Sequence, residues 1–345
     1  MKLPQKDFRS IKILQSGEPK PGPKPRLLSS TRDVDIQTLN PKTFDEILED
    51  SRNFLKNRKH MQNSEKFLRI EKLGSTWRQI WFSADDNDSL AFDASCTLTA
   101  NNLEGAEMMD EMMNILLDMF EEESKDSFTP NPFVNLNVGE FRLILLSSLV
   151  SWGLVKTTES GVRAQNLLYR MQKISKLHPH LRGLMPTTIC FGATMKALVE
   201  MIDSTDQNGA LEARKLLEYQ SKLFSSGKNP ISQPDDHHYS ILMHGYATRG
   251  MVAEAESLLE GLEKRTIYAE SMKGETFYST PNVIMYSSCM NAYLKMKGRL
   301  KGRNAANRAE DLLYRLYKKY EESGDTLFMP NHVTFGTGMY KRILI

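Results

Sequence analysis

The side chains that most often supply catalytic or metal-binding groups are sparse in this sequence. Four of the seven histidines occur as two pairs, His178 with His180 and the adjacent His237 and His238. Neither pair has further Cys, His or carboxylate residues at the spacing of a metal site, and adjacent positions of a helix face different ways. The cysteines are Cys96, Cys190 and Cys289. Without a glycine-rich phosphate loop or a nucleophile motif, the sequence predicts no enzyme, no metal site and no cofactor.

Hydroxyl and amide side chains recur instead at corresponding points of the chain. Ser240 and Ser287 each directly follow a tyrosine, and Asn282 and Asn331 each directly follow a proline. Two or three polar side chains per helical repeat are what base-by-base recognition of single-stranded RNA requires. The same residues are also common as solvent-facing residues at the start of a helix. The elements that position them must therefore decide between the two interpretations.

Residues 234–262 predict two short helices that pack together. In the first, Tyr239, Leu242, Met243 and Tyr246 recur at three- and four-residue spacing, which is one face of a helix. Gly250 is a natural stop between the two helices. In the second helix, an apolar face repeats the same spacing at Ala255, Leu258, Leu259 and Leu262. Each helix is about three turns long, too short to be stable alone in water, so each must pack on further elements.

Copies of this unit recur along the chain. Each copy begins at a proline, has an aromatic residue five positions later and a methionine four positions after that; the prolines, Pro186, Pro234, Pro281 and Pro330, are 47 to 49 residues apart. The second helix of the copies that begin at Pro186, Pro234 and Pro281 carries an alanine followed by a Leu-Leu pair, at Ala213, Ala255 and Ala309. Ala164 marks the same pattern in a more divergent copy that begins at Pro132. Equivalent residues that recur in the same order at one period indicate stacked helical repeats. The alternative is a non-repetitive all-α domain whose amphipathic helices look alike.

These recurring residues resemble the pattern of the pentatricopeptide repeat family. The repeat of that family is two antiparallel helices with a Pro-x-x-x-x-Tyr opening and an Ala-x-x-Leu-Leu second helix. The resemblance covers roughly residues 132–345 and is closest over residues 234–262. It implies an all-α fold, an α-solenoid of stacked antiparallel helix-turn-helix repeats. The other copies depart from the family by carrying insertions between their helices.

The resemblance also implies a set of RNA-binding residues. The family recognises one base per repeat through the residue after the aromatic and the residue after the next proline. The pairs here are Ser240 with Asn282, and Ser287 with Asn331, both similar to the family's adenine-preferring pair. A third pair, Gly192 with Asp235, departs from the usual residue types and leaves its base open. Arg142 with Thr187 matches no usual pair.

A further position in each repeat is implied to insert between neighbouring bases. It is occupied by Ile189, Ile284 and Val333 in three copies. His237 departs from this apolar type but can stack on a base. A run of basic residues follows one of the first helices and includes Lys297, Arg299 and Lys301. It is either a solvated loop or a contact to RNA phosphates that carries no sequence preference.

Composition divides the chain into three parts. Residues 1–40 are basic and proline-rich, which predicts a disordered leader. The pattern of residues 41–130 predicts a degenerate helical region with a strongly acidic stretch. Residues 131–345 hold the predicted repeat array, which we expect to be cut off at its C-terminus. The net charge of +2 does not by itself indicate nucleic-acid binding, and no apolar run is long enough to span a membrane.

Single-stranded RNA is therefore the partner that the resemblance favours, with other RNA-processing proteins as further candidates. Family members act in organelle transcript processing, stability or translation, so it implies a mitochondrial or plastid location, with a cytoplasmic one as the alternative. The leading alternative function is a protein-protein interaction scaffold that holds a peptide in its concave face. A nuclease whose catalytic part lies outside this chain is a third class.

Overall fold

The structure is a computed structural model, and it confirms the prediction of an all-α protein. It describes residues 44–82, 101–123, 138–205, 207–271, 280–296 and 303–339. Within these residues there are twelve α-helices and no strand. The helices are α1 (Phe44–Asn57), α2 (Asn63–Phe82), α3 (Asn101–Glu123), α4 (Val138–Leu154), α5 (Ser160–Leu177), α6 (Thr188–Glu200), α7 (Gly209–Ser225), α8 (Asp236–Arg249), α9 (Val252–Ser271), α10 (Val283–Lys295), α11 (Arg303–Ser323) and α12 (His332–Met339).

Local capping chemistry sets several of these boundaries. The side chains of Asn208, Asp235 and Asn282 accept hydrogen bonds from the free backbone N–H groups at the starts of α7, α8 and α10, as expected of Asn and Asp at this position. Helix α8 ends where Gly250 adopts a left-handed conformation with φ of 66°. The stop predicted at Gly250 is therefore confirmed, and glycine suits it because it has no Cβ to clash.

The helices contact one another in a regular order. Each even-numbered helix from α2 to α10 packs against the next even-numbered helix, so α2, α4, α6, α8, α10 and α12 follow one another. Each odd-numbered helix from α3 to α11 packs against the even-numbered helix before it and the one after it. The chain therefore alternates between two sets of helices, and the even-numbered set forms a continuous series of contacts.

The repeated sequence columns supply the core between these helices. The aromatic residues Phe191, Tyr239 and Tyr286 are buried. The fully buried methionines of the same columns are Met195, Met243 and Met290. Small residues let the helix axes approach: a Cβ added to Gly245 of α8 would lie only 2.9 Å from the Val199 side chain of α6. Recurrence at a fixed period therefore reflects recurring packing positions.

Helices α1 to α3 belong to the same buried core. The methionine-rich face of α3 is fully enclosed at Met109, Met112 and Met113, so these side chains pack inside the core. Charged pairs connect α3 to its neighbours, since Arg52 of α1 contacts Glu104 at 2.7 Å and Arg170 of α5 contacts Asp118 at 2.7 Å. Of the helices that are described, none is both long enough and apolar enough to cross a membrane.

Candidate nucleic-acid interface

The polar residues that follow the repeated prolines all lie at helix starts. The Oδ1 atom of Asn282 accepts hydrogen bonds of 3.0 Å from the backbone N–H groups of Ile284 and Met285. Asn331, directly before α12, accepts in the same way from Val333 and Thr334, again at 3.0 Å. Because the amide oxygen of each asparagine is used by its own helix, the group left for a ligand is the Nδ2 amide, which can only donate.

Asp235 occupies the corresponding position before α8 but offers different chemistry. Its Oδ1 atom accepts from the backbone N–H groups of His237 and His238 at 3.1 and 3.3 Å. Its second carboxylate oxygen remains, and an ionised carboxylate can only accept. Burial opposes the ionised form, but hydrogen bonding and the charge of the His238 ring outweigh it, so the pKa of Asp235 is lowered from its ordinary value.

Apolar side chains are exposed two positions after these capping residues. Ile189 in α6, Ile284 in α10 and Val333 in α12 have 41%, 59% and 47% of their surface exposed. Each lies in the first turn of its helix, and in α10 and α12 it stands two positions after a capping asparagine. His237 occupies the same position in α8 and is exposed. Burial, followed by the influence of His238, lowers the pKa of His237 from its ordinary value, which favours the neutral ring.

The residues after the repeated aromatics differ from one helix to the next. Gly192 of α6 is buried beside the α8 histidines, and a Cβ placed there would lie 3.6 Å from the His238 ring and 3.8 Å from the His237 ring. Ser240 is partly buried. Ser287 is only 8% exposed, and its hydroxyl donates to the carbonyl oxygen of Val283 at 2.7 Å. Ser287 is therefore not an ordinary solvent-facing residue. Because its hydroxyl proton is already donated, its oxygen can only accept a hydrogen bond from a ligand.

His238 has a structural role that the sequence reasoning missed. The ring is buried, and its Nδ1 atom lies 2.6 Å from Oδ1 of Asp235. Its Nε2 atom lies 3.1 Å from the carbonyl oxygen of Thr188 and 3.2 Å from the amide nitrogen of Gln220. The ring thus joins the starts of α6 and α8 to α7, directly beneath Gly192. The three-residue spacing of Asp235 and His238 was the one sequence signal available, because it places both on one side of the first turn.

The predicted basic contact lies mostly outside the described residues. Lys297, Arg299 and Lys301 fall in a range that the structure does not describe. Lys295 is described and is exposed at the last residue of α10. Since α10 has 13 residues, this end lies about 20 Å from Asn282. The run therefore begins at the opposite end of α10 from the capping asparagine.

Comparisons with known proteins add no assignment to this geometry. No model of a known protein family matches the chain, and no curated protein matches it in sequence. Within the described ranges, no group of three or more His, Cys, Asp or Glu side chains is arranged to hold a metal ion.

Proposed function

We propose that this protein binds single-stranded RNA along the starts of its even-numbered helices. The observation that carries the proposal is a repeated arrangement at α8, α10 and α12. Each helix start combines a capping Asp or Asn, which retains one free polar group, with an exposed stacking or apolar residue two positions later. Repeated polar groups beside exposed apolar or ring side chains are what splayed bases need for hydrogen bonding and stacking.

The order of helix contacts supports a stacked arrangement of repeats. Successive even-numbered helices touch, and odd-numbered helices pack between them. We propose that these pairs form an α-solenoid of the pentatricopeptide kind, in which the even-numbered helices line one face. Such a face would present the starts of α6, α8, α10 and α12 in series, so that one RNA strand could pass them in turn.

The capping geometry gives a physical reason for base preference. The free Nδ2 amide of Asn282 donates, so it suits a base whose ring nitrogen accepts, as N1 of adenine does. Guanine and uracil carry a hydrogen on the corresponding nitrogen and would place a donor against a donor. The Ser240 hydroxyl adapts to either role. The ring nitrogen N3 of cytosine also accepts, and the resemblance favours adenine over cytosine. We therefore propose adenine at the Ser240–Asn282 position and at the Ser287–Asn331 position, and beside Asp235 a base whose ring nitrogen carries a hydrogen.

The biological setting is proposed on the resemblance alone. Proteins of this kind act on organelle transcripts, so we propose a role in RNA processing, stability or translation in a mitochondrion or plastid. The basic run with Lys297, Arg299 and Lys301 would add phosphate contacts. Neutralising these three residues should then weaken all RNAs alike and reduce the salt slope by about 0.7 per lost contact.

The decisive experiment exchanges the free donor for an acceptor. A randomised RNA pool is selected on the wild-type protein at low salt, and the selection is repeated on Asn282→Asp. We expect adenine enrichment at adjacent positions on the wild type, and a change at one position toward guanine or uracil on the variant. The difference should be about 1–3 kcal/mol, the scale of good side-chain to base pairs in DNA.

A matched control is available at another helix start. Asn208 caps α7 with the same geometry, accepting from Ala210 and Leu211 at 3.0 and 3.2 Å, but it belongs to an odd-numbered helix. Asn208→Asp should therefore leave the base preference unchanged. If the pool shows no adenine enrichment and Asn282→Asp changes nothing, RNA recognition is refuted. The exposed Ile189 and Ile284 would then favour the alternative, a scaffold that binds a peptide on this face.

A further inference from the structure

A second candidate site lies between two odd-numbered helices, α5 and α7. It is a cleft of about 460 Å³. Its lining consists of Tyr169, Gln172, Lys173, Lys176, Leu177 and Tyr219. Five of these residues belong to the C-terminal half of α5 and one to α7. None of them belongs to the even-numbered helices on which the RNA proposal rests.

The cleft is positively charged. Lys173 and Lys176 line it, and in the described part of the chain no carboxylate does so. The nearest acidic contact to Lys173 is Glu121 of α3, at a long 3.6 Å. Glu212 of α7 influences Tyr169 from nearby, but its carboxylate is engaged by Lys215 at 2.7 Å. A ligand that complements these walls therefore carries negative charge.

The walls also expose apolar surface. Leu177 is 58% exposed and Tyr169 is 40% exposed. The rings of Tyr169 and Tyr219 pack edge to face, with their centres 5.7 Å apart and their planes at 85°. Because the two rings already pack on each other, they do not form the parallel platform on which successive bases stack. Aliphatic or single aromatic side chains fit this surface better than a run of bases.

A buried amide at the cleft wall lacks a partner. Gln172 is only 3% exposed; its Oε1 atom accepts from the Tyr219 hydroxyl at 2.7 Å, whereas its Nε2 atom has no hydrogen-bond partner among the residues that the structure describes. A buried donor without an acceptor is costly and uncommon in native proteins. A small movement of the covering side chains would let a ligand oxygen accept from it. The preferred ligand atom is therefore an acceptor, as a carboxylate is.

We propose that the α5–α7 cleft binds a short acidic segment of a partner protein. In the bound state, an Asp or Glu carboxylate accepts from Gln172 Nε2 between the two lysines, and a neighbouring apolar side chain packs on Leu177 and the tyrosine pair. This site is independent of the RNA proposal, because it uses different helices and different chemistry. It would let the protein hold RNA and a protein partner at the same time.

The test is a selection from displayed random twelve-residue peptides on the full-length protein. We expect enrichment of peptides in which Asp or Glu stands beside Leu, Phe or Tyr. A synthetic, fluorescein-labelled copy of the most enriched peptide is then titrated by fluorescence anisotropy. Gln172→Glu keeps an acceptor for Tyr219 but replaces the free donor with an acceptor, so it should weaken the peptide at least about tenfold. Lys176→Glu should weaken it about fivefold.

Two controls test whether the loss of affinity is specific to this cleft. Lys59→Glu reverses the charge of an exposed lysine next to α1 that does not line the cleft, and should change peptide affinity less than about twofold. RNA affinity should be the same for all these variants. The proposal is overturned if the enriched peptides are not acidic or if Gln172→Glu binds as tightly as the wild type. It is also overturned if Lys176→Glu weakens RNA instead, because the cleft would then contact phosphate.

Discussion

The contacts between α6 and α8 and those between α8 and α10 hold equivalent helices together by different means. The first junction is polar at both ends. Near the C-terminal end of α8, Arg249 donates to both carboxylate oxygens of Asp203 at 2.7 Å and to the carbonyl oxygen of Val199 at 2.9 Å. At the N-terminal end, His238 connects Asp235 to α6 and α7. Charged and hydrogen-bonded groups therefore fix both ends.

The second junction replaces these groups with apolar contact. Met285 of α10 and Met296, which directly follows α10, occupy the positions that correspond to His238 and Arg249 in α8. Met285 is fully buried. Gly250 lies so close to the end of α10 that an added Cβ would be 2.7 Å from the carbonyl oxygen of Lys295.

The comparison shows that one repeat pattern can be stabilised in two ways. Both junctions have a close approach at a glycine, Gly245 of α8 in the first and Gly250, at the end of α8, in the second. The polar junction adds groups that depend on charge and pH, whereas the apolar junction depends on volume. The difference also affects the candidate interface, because the His238 ring contacts Asp235 and lies next to Gly192. Three substitutions separate the two kinds of junction.

The largest effect is expected at the polar junction. Arg249→Met introduces the residue of the other junction and should lower the free energy of unfolding by about 2–3 kcal/mol, because Asp203 and three backbone carbonyls lose charged donors. Urea unfolding measures the loss. Lys318→Met is the control: it removes an exposed pair with Glu322 within α11, and should cost about 0.5 kcal/mol or less. Equal losses for the two variants would mean that the contacts of Arg249 contribute no more to stability than an exposed ion pair.

A smaller loss is expected at the close approach of the apolar junction. Gly250→Ala should cost about 2 kcal/mol, because a left-handed alanine is unfavourable by about 1 kcal/mol and its Cβ would also meet the α10 backbone. Gly227→Ala and Gly324→Ala isolate the first cause, since both have positive φ (68° and 66°) but nothing within 4 Å of the added Cβ. These controls should cost about 1 kcal/mol. If Gly250→Ala loses no more free energy of unfolding than the controls, the two helices can move apart there at no cost in stability.

The smallest effect concerns pH at the interface. Asp235→Asn keeps the helix cap but loses the charged partner of His238, and should cost about 1 kcal/mol at neutral pH. The folded-state pKa of Asp235 lies below its ordinary value. The wild-type advantage is therefore complete above the unfolded value of about 3.9 and is lost as pH falls through the lower folded value.

Chemical denaturation at several acidic pH values tests this sign. The curves of wild type and Asp235→Asn should converge as the carboxylate is protonated. Asn282→Asp is the counterpart at the other junction and should change stability by less than about 0.5 kcal/mol, because either residue caps well. Curves that stay parallel into strong acid would rule out an ionised Asp235 as the source of the difference.

The sequence was sufficient for the features that depend on neighbouring residues. Gly250 marked the end of α8, and the spacing of Tyr239, Leu242 and Met243 identified its buried face. These follow from local rules: helix period, capping and the glycine stop act within one or two turns. The all-α class was predictable for the same reason. The division into three parts and the RNA-binding residues remain predictions.

Only the tertiary structure revealed which polar groups are already occupied. His238 looked like one of two adjacent histidines, yet its ring contacts Thr188, 50 residues earlier in the chain. Arg249 finds Asp203 46 residues away, and Gln172 receives the Tyr219 hydroxyl from 47 residues away. These partners lie about one repeat apart, so a local pattern contains no trace of them. Their meeting depends on how successive helices pack, and that packing determines which donors and acceptors remain free for a ligand.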